Sequence, residues 1–258
     1  MKKSFLIFLL TLFLMPCHAH AVSAVSEKEA FKSMLMEVLK ENPDILFNVL
    51  KENDSEFIKT ITTASETSRT RDLESQWKKD SKEPKTFADA KRPYLGDSSA
   101  PNTLYIFSDF LCTYCQKTAG VVETFIKEHK DVKLVFKAFP KSDQGKAALR
   151  WFYLMGQKDM KKAWQLHDTV FVHQQAYAAN PLEVLKEIVR QQGLNPEQFA
   201  AEAEKKQAEL DALINEDMKE AEKYHVSGTP YLFINNLVLI GTQNLTTLES
   251  ALKFSLKK

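Results

Sequence analysis

After two lysines, the hydrophobic pattern of the chain begins with an apolar run over residues 5–15 that is interrupted only by Thr11. This run is about half as long as the roughly 20 residues that a membrane-spanning helix needs. An Ala-x-Ala motif that ends at Ala21 comes soon after it. These features are typical of a cleavable bacterial signal peptide. We therefore predict that residues 1–21 are removed on export to the periplasm, with an uncleaved anchor as the alternative.

Residues 22–77 show the 3.6-residue periodicity of amphipathic helices. Ser26 and Glu29 have the spacing of a capping box, and a second apolar stripe lies within residues 45–50. Beyond this stripe the chain becomes polar. We predict a helical segment over 22–77 and a linker over 78–93. The apolar stripes either fold back on the main domain or pair with other copies of the chain. The first stripe consists of Phe31, Met34, Leu35, Val38 and Leu39.

Residues 94–258 show short apolar runs of β type separated by helical stretches. The first three elements have the order strand, helix, strand, which is a βαβ unit. A region rich in Ala, Glu and Lys over about 142–224 favours helix. The predicted fold class is α/β, with the order βαβ and then ββα, a large inserted helical domain and an N-terminal helical extension. The predicted elements are strands 102–108, 131–139, 231–234 and 237–240, and helices 119–128 and 244–256.

Composition narrows the possible function classes. The formal charge is +1, so the chain lacks the basic excess that would indicate nucleic acid as a partner. Hydrophobic residues make up 44 % of the chain, which is enough for a sizeable core. Cys17 lies in the predicted leader. Export would therefore leave Cys112 and Cys115 as the cysteines of the mature chain, in a compartment that permits disulfides.

Cys112 and Cys115 form a Cys-x-x-Cys motif directly after a predicted strand and at the start of a helix. Unpaired N–H groups and the helix dipole at such a position favour the thiolate form of Cys112. The dipole contributes at most about 2 kcal/mol, which lowers a thiol pKa by roughly 1.5. A strong oxidant would need further hydrogen bonds to the sulfur. Because the thiolate is the species that attacks disulfides, the arrangement favours a redox centre.

The cysteine pair has three other possible uses. A structural zinc site needs four ligands, and the histidines lie at no recognisable ligand spacing. A disulfide that closes so short a ring would constrain the unfolded chain very little. Two soft thiolates could bind copper(I), which leaves a copper-binding or chaperone module as an alternative. The redox prediction requires no metal ion and no other cofactor.

Residues 94–256 resemble the DsbA-type branch of the thioredoxin superfamily. The resemblance rests on residues 107–115, on the helical insertion and on residues 226–230, which match the loop that carries a cis-proline in that family. It implies a thioredoxin fold. It also implies that Cys112 is the exposed nucleophile and Cys115 the buried resolving cysteine.

The same resemblance implies roles for residues around the pair. Thr229 and Pro230 would line the substrate groove, with the Thr229 backbone paired to an extended substrate strand. Thr113 and Tyr114 lie between the cysteines, and Tyr114 would set the redox poise. The chain departs from the family at Ile106, where many relatives carry a buried glutamate, and this puts a proton relay through that carboxylate in doubt.

Two charged residues near the motif have open roles. Asp109 is either a solvated or helix-capping group or one that influences the sulfurs. Lys137, on the second predicted strand, is either a neighbour of the site or a charge at a strand edge.

The placement of residues 22–77 resembles that of the oligomerisation segments of DsbC/DsbG-like isomerases and of ScsC- and Com1-like proteins. It implies a homo-oligomer of two or three chains formed through 22–77, with protein disulfide isomerase activity. The expected partners are reduced or misdisulfided secreted proteins and a membrane redox partner. A monomeric DsbA-like dithiol oxidase is the alternative within the same enzyme class.

Overall fold

The computed structural model describes residues 24–257, and the predicted signal peptide lies outside them. The chain divides into two compact units between Ser65 and Glu66. The first unit contains helices α1 (Ala24–Glu41) and α2 (Pro43–Glu52) and the beginning of α3 (Asp54–Asp80). The predicted helical character of this segment is therefore present.

The described residues of the first unit form no hydrophobic core of their own. None of the residues 28–65 is buried, although α1 and α2 carry the apolar stripes that the sequence predicts. An apolar stripe on a helix normally packs against another surface. The large exposed apolar side chains here are Phe31, Met34, Leu35, Met36, Val38, Ile45, Leu46, Phe47, Val49, Phe57, Ile58 and Ile61.

The second unit is built on a five-stranded sheet. The four predicted strands are confirmed to within one residue at each end, and a short additional strand precedes them. The strands are β1 (Tyr94–Leu95), β2 (Asn102–Ser108), β3 (Val132–Ala138), β4 (Tyr231–Ile234) and β5 (Leu237–Ile240). The helices that follow α3 are α4 (Thr113–Glu128), α5 (Asp143–Lys158), α6 (Met160–Val172), α7 (Gln174–Ala179), α8 (Pro181–Gln191), α9 (Pro196–Lys205), α10 (Gln207–Lys223) and α11 (Leu245–Ser255).

The strand order of the sheet is β1-β3-β2-β4-β5. Strands β2 and β3 are parallel, as a βαβ unit requires, and β4 runs antiparallel to β2. Successive side chains of a strand point to opposite faces. Ile106 therefore joins the main core, whereas Phe107 packs with Phe233 on the other face. Because both faces of β2 are covered, the carboxyl end of this strand holds the residues that follow it in a fixed position.

The predicted helical insertion is confirmed as helices α5 to α10. Its core is aromatic, with the ring of Phe152 edge-on to those of Phe136 and Trp164. Pro181 and Pro196 each begin a helix. Proline suits this position because its fixed φ matches the helix and its missing N–H would have no partner within the helix.

The C-terminal end of α3 covers the free edge of β5. Trp77 is 1 % exposed, and its indole nitrogen donates a hydrogen bond of 3.2 Å to the Val238 carbonyl. The Asp80 carboxylate accepts a hydrogen bond of 3.0 Å from the Val238 N–H. The Trp77 ring also contacts Phe254. An uncovered edge would leave such backbone groups free to pair with another chain, so this helix end protects the sheet.

Residues 78–93, for which the sequence predicts a linker, also pack closely within the second unit. The Phe87 ring contacts Tyr105 and Phe233, and the buried Arg92 pairs with Asp217. Because the segment is rich in lysine, its pattern of apolar residues does not predict these contacts. Residues 78–93 are therefore part of the second unit, which begins at Glu66.

Candidate active site

Cys112 is the N-cap residue of α4 and lies beyond the carboxyl end of β2. Its backbone is extended, and its Sγ accepts a hydrogen bond of 3.3 Å from the Cys115 N–H. An oxygen atom usually fills this position at a helix N-terminus. A sulfur takes its place here, at the positive end of the helix dipole.

Asp109 holds the turn between β2 and α4. Its carboxylate is buried and accepts hydrogen bonds from the N–H groups of Leu111, at 3.1 Å, and Lys141, at 3.0 Å. Its carbonyl accepts a hydrogen bond of 3.0 Å from the Cys112 N–H. A Cβ at Gly145 would lie 2.6 Å from Asp109 Oδ1, so the glycine is what lets α5 approach. Asp109 is thus buried and not solvated. Its hydrogen bonds position the turn that carries Cys112.

Hydrogen-bond donors around Cys112 lower the pKa of its thiol from 9.0 to about 5. The Cys115 thiol has the largest effect, and the nearby Thr229 side chain and the N–H groups of Cys115 and Tyr114 add to it. Partial burial opposes the shift. At neutral pH Cys112 is therefore a thiolate, the form that attacks disulfides.

Cys115 is buried and has the opposite tendency. Burial raises the pKa of its thiol, and its hydrogen bond to the Cys112 sulfur raises it further. The Ser108 side chain and the Asp109 N–H partly offset this rise. The two cysteines therefore share one proton unequally, with Cys112 ionised and Cys115 protonated. This asymmetry fits an attacking sulfur at Cys112 and a resolving sulfur at Cys115.

The loop that leads into β4 faces the cysteine pair. The Thr229–Pro230 peptide bond is cis, and the Thr229 carbonyl oxygen lies 3.4 Å from Cys112 Sγ. The Thr229 hydroxyl is buried and has no hydrogen-bond partner among the described atoms, so it can turn toward the ionised sulfur. Strand β4 begins at Tyr231 and pairs with β2. This pairing brings the loop to the end of β2, where Cys112 follows.

Thr113 and Tyr114, between the cysteines, are exposed. Tyr114 is 60 % exposed, and Lys117 Nζ lies 5.5 Å from the centre of its ring. Two residues after Tyr114, the Gln116 side-chain amide donates a hydrogen bond to the Phe171 carbonyl and so connects α4 to α6. Tyr114 thus presents an aromatic surface beside the nucleophile.

Lys137 is fully buried in the interior strand β3. Its Nζ lies 2.5 Å from Asp217 Oδ1 and 2.6 Å from Glu220 Oε2, and it donates a hydrogen bond of 2.6 Å to the Ala88 carbonyl. The interpretation of Lys137 as a strand-edge charge is therefore wrong. Lys137 pairs in register with Phe107, and its contacts hold α10 and the segment around Ala88 against the sheet.

Two further positions in β2 shape the site. Ile106 is buried between Phe136 and Leu232 of the neighbouring strands, so an apolar side chain fills the place of the family's buried glutamate. Ser108, for which the sequence predicts no role, lies beside Cys115, and its side chain acts to lower the pKa of the Cys115 thiol. The available signal was a polar residue at the last position of an apolar strand, directly before the cysteine motif.

A family model matches the part of the chain that carries this site. The profile of a family described as thioredoxin matches residues 88–253, more than half of the chain. The matched region contains the cysteine pair and the Thr229–Pro230 loop.

Two curated proteins share part of the sequence. The chain is 26 % identical over 158 residues to the Na(+)/H(+) antiporter NhaA 3 of Salinispora tropica, and 26 % identical over 171 residues to the antiporter NhaA 1 of Salinispora arenicola. Both matches cover 60 % of this chain and 23 % of the antiporter, so the chain spans about a quarter of the length of these curated relatives. Within residues 24–257, no helix has both the length and the apolar character that crossing a membrane demands.

Solved structures share the fold. A thioredoxin-like oxidoreductase from Silicibacter pomeroyi DSS-3 has 25 % identity and a TM-score of 0.58, over 66 % of this chain and 95 % of that chain. A periplasmic thioredoxin-like protein from Salmonella enterica serovar Typhimurium has 22 % identity and a TM-score of 0.56, over 67 % and 94 %. ScsC of Proteus mirabilis in a transitional conformation has 18 % identity and a TM-score of 0.56, over 91 % and 98 %. At identities below 25 %, the last two show a common fold alone.

Proposed function

The chain belongs to the thioredoxin family, and from this premise we propose that it is a periplasmic thiol–disulfide oxidoreductase with protein disulfide isomerase activity. The asymmetry of the cysteine pair carries the proposal. Cys112 is half-buried with a pKa lowered to about 5, whereas the buried Cys115 stays protonated. The cis Thr229–Pro230 bond beside Cys112 supports the same chemistry.

In the oxidising direction the cycle starts from a Cys112–Cys115 disulfide. A substrate thiolate attacks Cys112 Sγ, the Cys112–Cys115 bond breaks, and Cys115 leaves and takes up a proton, as its raised pKa favours. A second substrate thiolate then attacks the substrate sulfur of the mixed disulfide and releases Cys112 as a stable thiolate. The substrate loses two electrons, the protein gains them, and a membrane redox partner would remove them.

In the isomerising direction the cycle starts from the reduced pair. The Cys112 thiolate attacks a substrate disulfide, and one substrate sulfur leaves as a thiolate. Another substrate thiolate later attacks the substrate sulfur of the mixed disulfide and frees Cys112, with no net change in electrons. This direction needs the reduced form to persist, and the low pKa of Cys112 stabilises that form.

The exposed apolar faces of the first unit support a homo-oligomer of two or three chains formed through residues 22–77. Burying one large apolar side chain contributes about 1.5–3 kcal/mol, so several such side chains together exceed the roughly 4–15 kcal/mol cost of association. A second copy is a suitable partner because it carries the same stripe. An oligomer would present several active sites to one misfolded client, which suits disulfide reshuffling.

The N-terminal sequence supports export and so defines the expected clients. The apolar run over residues 5–15 and the motif ending at Ala21 are those of a cleavable leader. A structural relative is described as a periplasmic thioredoxin-like protein. Reduced or misdisulfided secreted proteins are therefore the substrates, and nucleic acid is not an expected partner.

Ribonuclease refolding tests the activity. The mature protein is expected to oxidise reduced ribonuclease when supplied with an oxidant, and to reactivate scrambled ribonuclease under reducing conditions. Cys112→Ser is expected to lose both activities while it keeps the circular dichroism spectrum of the parent. If Cys112→Ser keeps either activity, Cys112 is not the nucleophile for it.

A fragment that begins at Glu66 separates the isomerase from a monomeric dithiol oxidase. The fragment contains the complete second unit. For an oligomeric isomerase, light scattering is expected to give a monomeric fragment that still oxidises reduced ribonuclease but has lost most reactivation of the scrambled form. If the parent is already monomeric and the fragment keeps its full activity, the oxidase alternative is correct. Stoichiometric bound copper without exchange activity would favour the copper-binding module.

A further inference from the structure

Helices α4 and α6 bring three metal-ligating side chains together away from the cysteines. Glu123 lies on α4, and His167 and Asp168 lie on α6. One ligand atom from each residue lies within 4.8 Å of the other two. His167 Nδ1 is 2.8 Å from Asp168 Oδ1. The thiol chemistry uses none of the three.

The imidazole of His167 is held in place by its surroundings. It is 4 % exposed, and packing on this scale prevents the ring from swinging into water. Glu123 and Asp168 are half-buried, so an ion can reach their carboxylates from solvent. The rings that contact the His167 imidazole are Phe110, Phe136, Phe152, Trp164 and Phe171.

The nearby positive charge leaves the two carboxylates incompletely compensated. Lys127 Nζ lies 3.6 Å from Glu123 Oε2, but the long side chain of Lys127 is exposed to solvent. An ion pair at such a surface position contributes only about 0–1 kcal/mol. A divalent cation between Glu123 and Asp168 would compensate both charges at once.

We propose that Glu123, His167 and Asp168 form a zinc site. Zinc takes imidazole nitrogen and carboxylate oxygen at about 2.0–2.2 Å, and three protein ligands with one water complete its tetrahedral shell. Ligand atoms in such a shell are about 3.4 Å apart. The three ligand atoms here lie within 4.8 Å of one another, so small rotations of the two carboxylate side chains would bring them to the distances that zinc requires. The nitrogen ligand disfavours calcium and magnesium, which prefer oxygen ligands.

The ion would join the active-site helix to the helical insertion. Glu123 follows Cys112 by eleven residues, which is about 16 Å along a helix. The ion therefore does not contact the sulfurs. It would hold α4 against α6 at one end of their contact, while the Gln116 hydrogen bond to Phe171 holds them at the other.

Calorimetric titration of Zn²⁺ into the Cys112→Ser/Cys115→Ser double variant tests the site, because this parent has lost the thiols that would compete. One ion is expected to bind per chain. Glu123→Gln and Asp168→Asn, each added to the parent, are expected to weaken binding by more than about tenfold, the loss seen even for groups that only support a ligand. The control Glu187→Gln removes an exposed carboxylate from α8 and is expected to bind zinc like the parent.

Two further measurements use the same variants. Zinc is expected to raise the Tm of the parent but not that of Glu123→Gln, and X-ray absorption at the zinc edge is expected to report nitrogen and oxygen neighbours only. The proposal is overturned if the parent binds no zinc, or if both carboxylate variants bind zinc as tightly as the parent does. In either case the three side chains form a proton-sharing hydrogen-bond cluster and not a metal site.

Discussion

The carbonyl oxygen of Thr229 lies 3.4 Å from the Cys112 sulfur, although 117 positions separate the two residues in the sequence. The antiparallel pairing of β4 with β2 brings them together, because the loop before β4 meets the end of β2. Cys112 thus has helix α4 on one side and the cis-proline loop on the other. Any protein substrate that reaches the sulfur must also approach the backbone of Thr229.

The ionisation of Cys112 makes the stability of the reduced protein depend on pH. Its folded pKa is lowered from 9.0 to about 5, so its stabilising contribution is complete above about pH 9 and is lost as the pH falls through 5. The raised pKa of Cys115 opposes folding only above the ordinary thiol range. We expect the free energy of unfolding of the reduced protein, minus that of Cys112→Ser, to rise between pH 5 and 9. A difference that does not change with pH would mean that Cys112 is not ionised in the folded protein.

The Thr229 hydroxyl is expected to tune this ionisation. Thr229→Val keeps the shape of the side chain but removes the donor, and a hydrogen bond to a charged group contributes about 1.5 kcal/mol. The Cys112 pKa, followed by thiolate absorbance at 240 nm, is therefore expected to rise by about one unit. Thr229→Ser keeps a hydroxyl and serves as the control. Equal pKa values in the parent and in Thr229→Val would rule out this role.

The two motifs of the proposed redox site could be recognised in the sequence because their signals are local. The Cys112-x-x-Cys115 motif follows an apolar strand, and the Gly-Thr-Pro motif precedes another. The two motifs lie side by side in the fold because the strand that precedes the first motif pairs with the strand that follows the second. Ser108 was missed because a single polar residue at a strand end has many ordinary explanations.

The burial of charged and polar segments could not be predicted in the same way. Lys137 is buried because Asp217 and Glu220, more than 70 positions away, lie on the helix that covers its face of the sheet. The predicted linker and the end of α3 are polar in sequence, yet Arg92 and Trp77 are buried by partners elsewhere in the chain. Apolar periodicity reports which face of an element is buried, but it does not report which distant element supplies an ion-pair partner.

Substitution of Trp77 tests whether the C-terminal end of α3 belongs to the folded second unit. Replacing a buried tryptophan by alanine leaves a cavity and costs about 3–5 kcal/mol, and Trp77→Ala also removes the hydrogen bond to the edge of β5. We expect chemical denaturation to give a free energy of unfolding for this unit lower by at least about 3 kcal/mol. Lys79→Ala, an exposed position on the same helix, is the control, with an expected change within about 0.5 kcal/mol. Equal stability of the two variants would indicate that the end of α3 does not belong to this unit.

Lys137 tests the buried ion-pair cluster. Lys137→Met leaves the buried Asp217 with Arg92 as its remaining cationic partner among the described residues, and breaking a buried pair in this way costs about 3–5 kcal/mol. Lys133→Met is the matched control on the same strand. Its partner, Asp89, is exposed, so the expected cost is about 1 kcal/mol or less. Similar losses in both variants would contradict the importance assigned to the buried cluster.

Trapping a mixed disulfide tests the central claim, that Cys112 attacks and Cys115 resolves. Reduced Cys115→Ser is mixed with a peptide that contains one disulfide, and the product is measured by mass spectrometry of the intact protein. The account predicts one peptide per chain, attached at Cys112 and released by reductant. The initial rate is expected to follow the Cys112 thiolate, with a midpoint that stays below the ordinary thiol pKa of 9.0 although the variant lacks the Cys115 thiol that lowers this pKa most. Absence of the adduct in Cys115→Ser, or an equal adduct in Cys112→Ser, would contradict it.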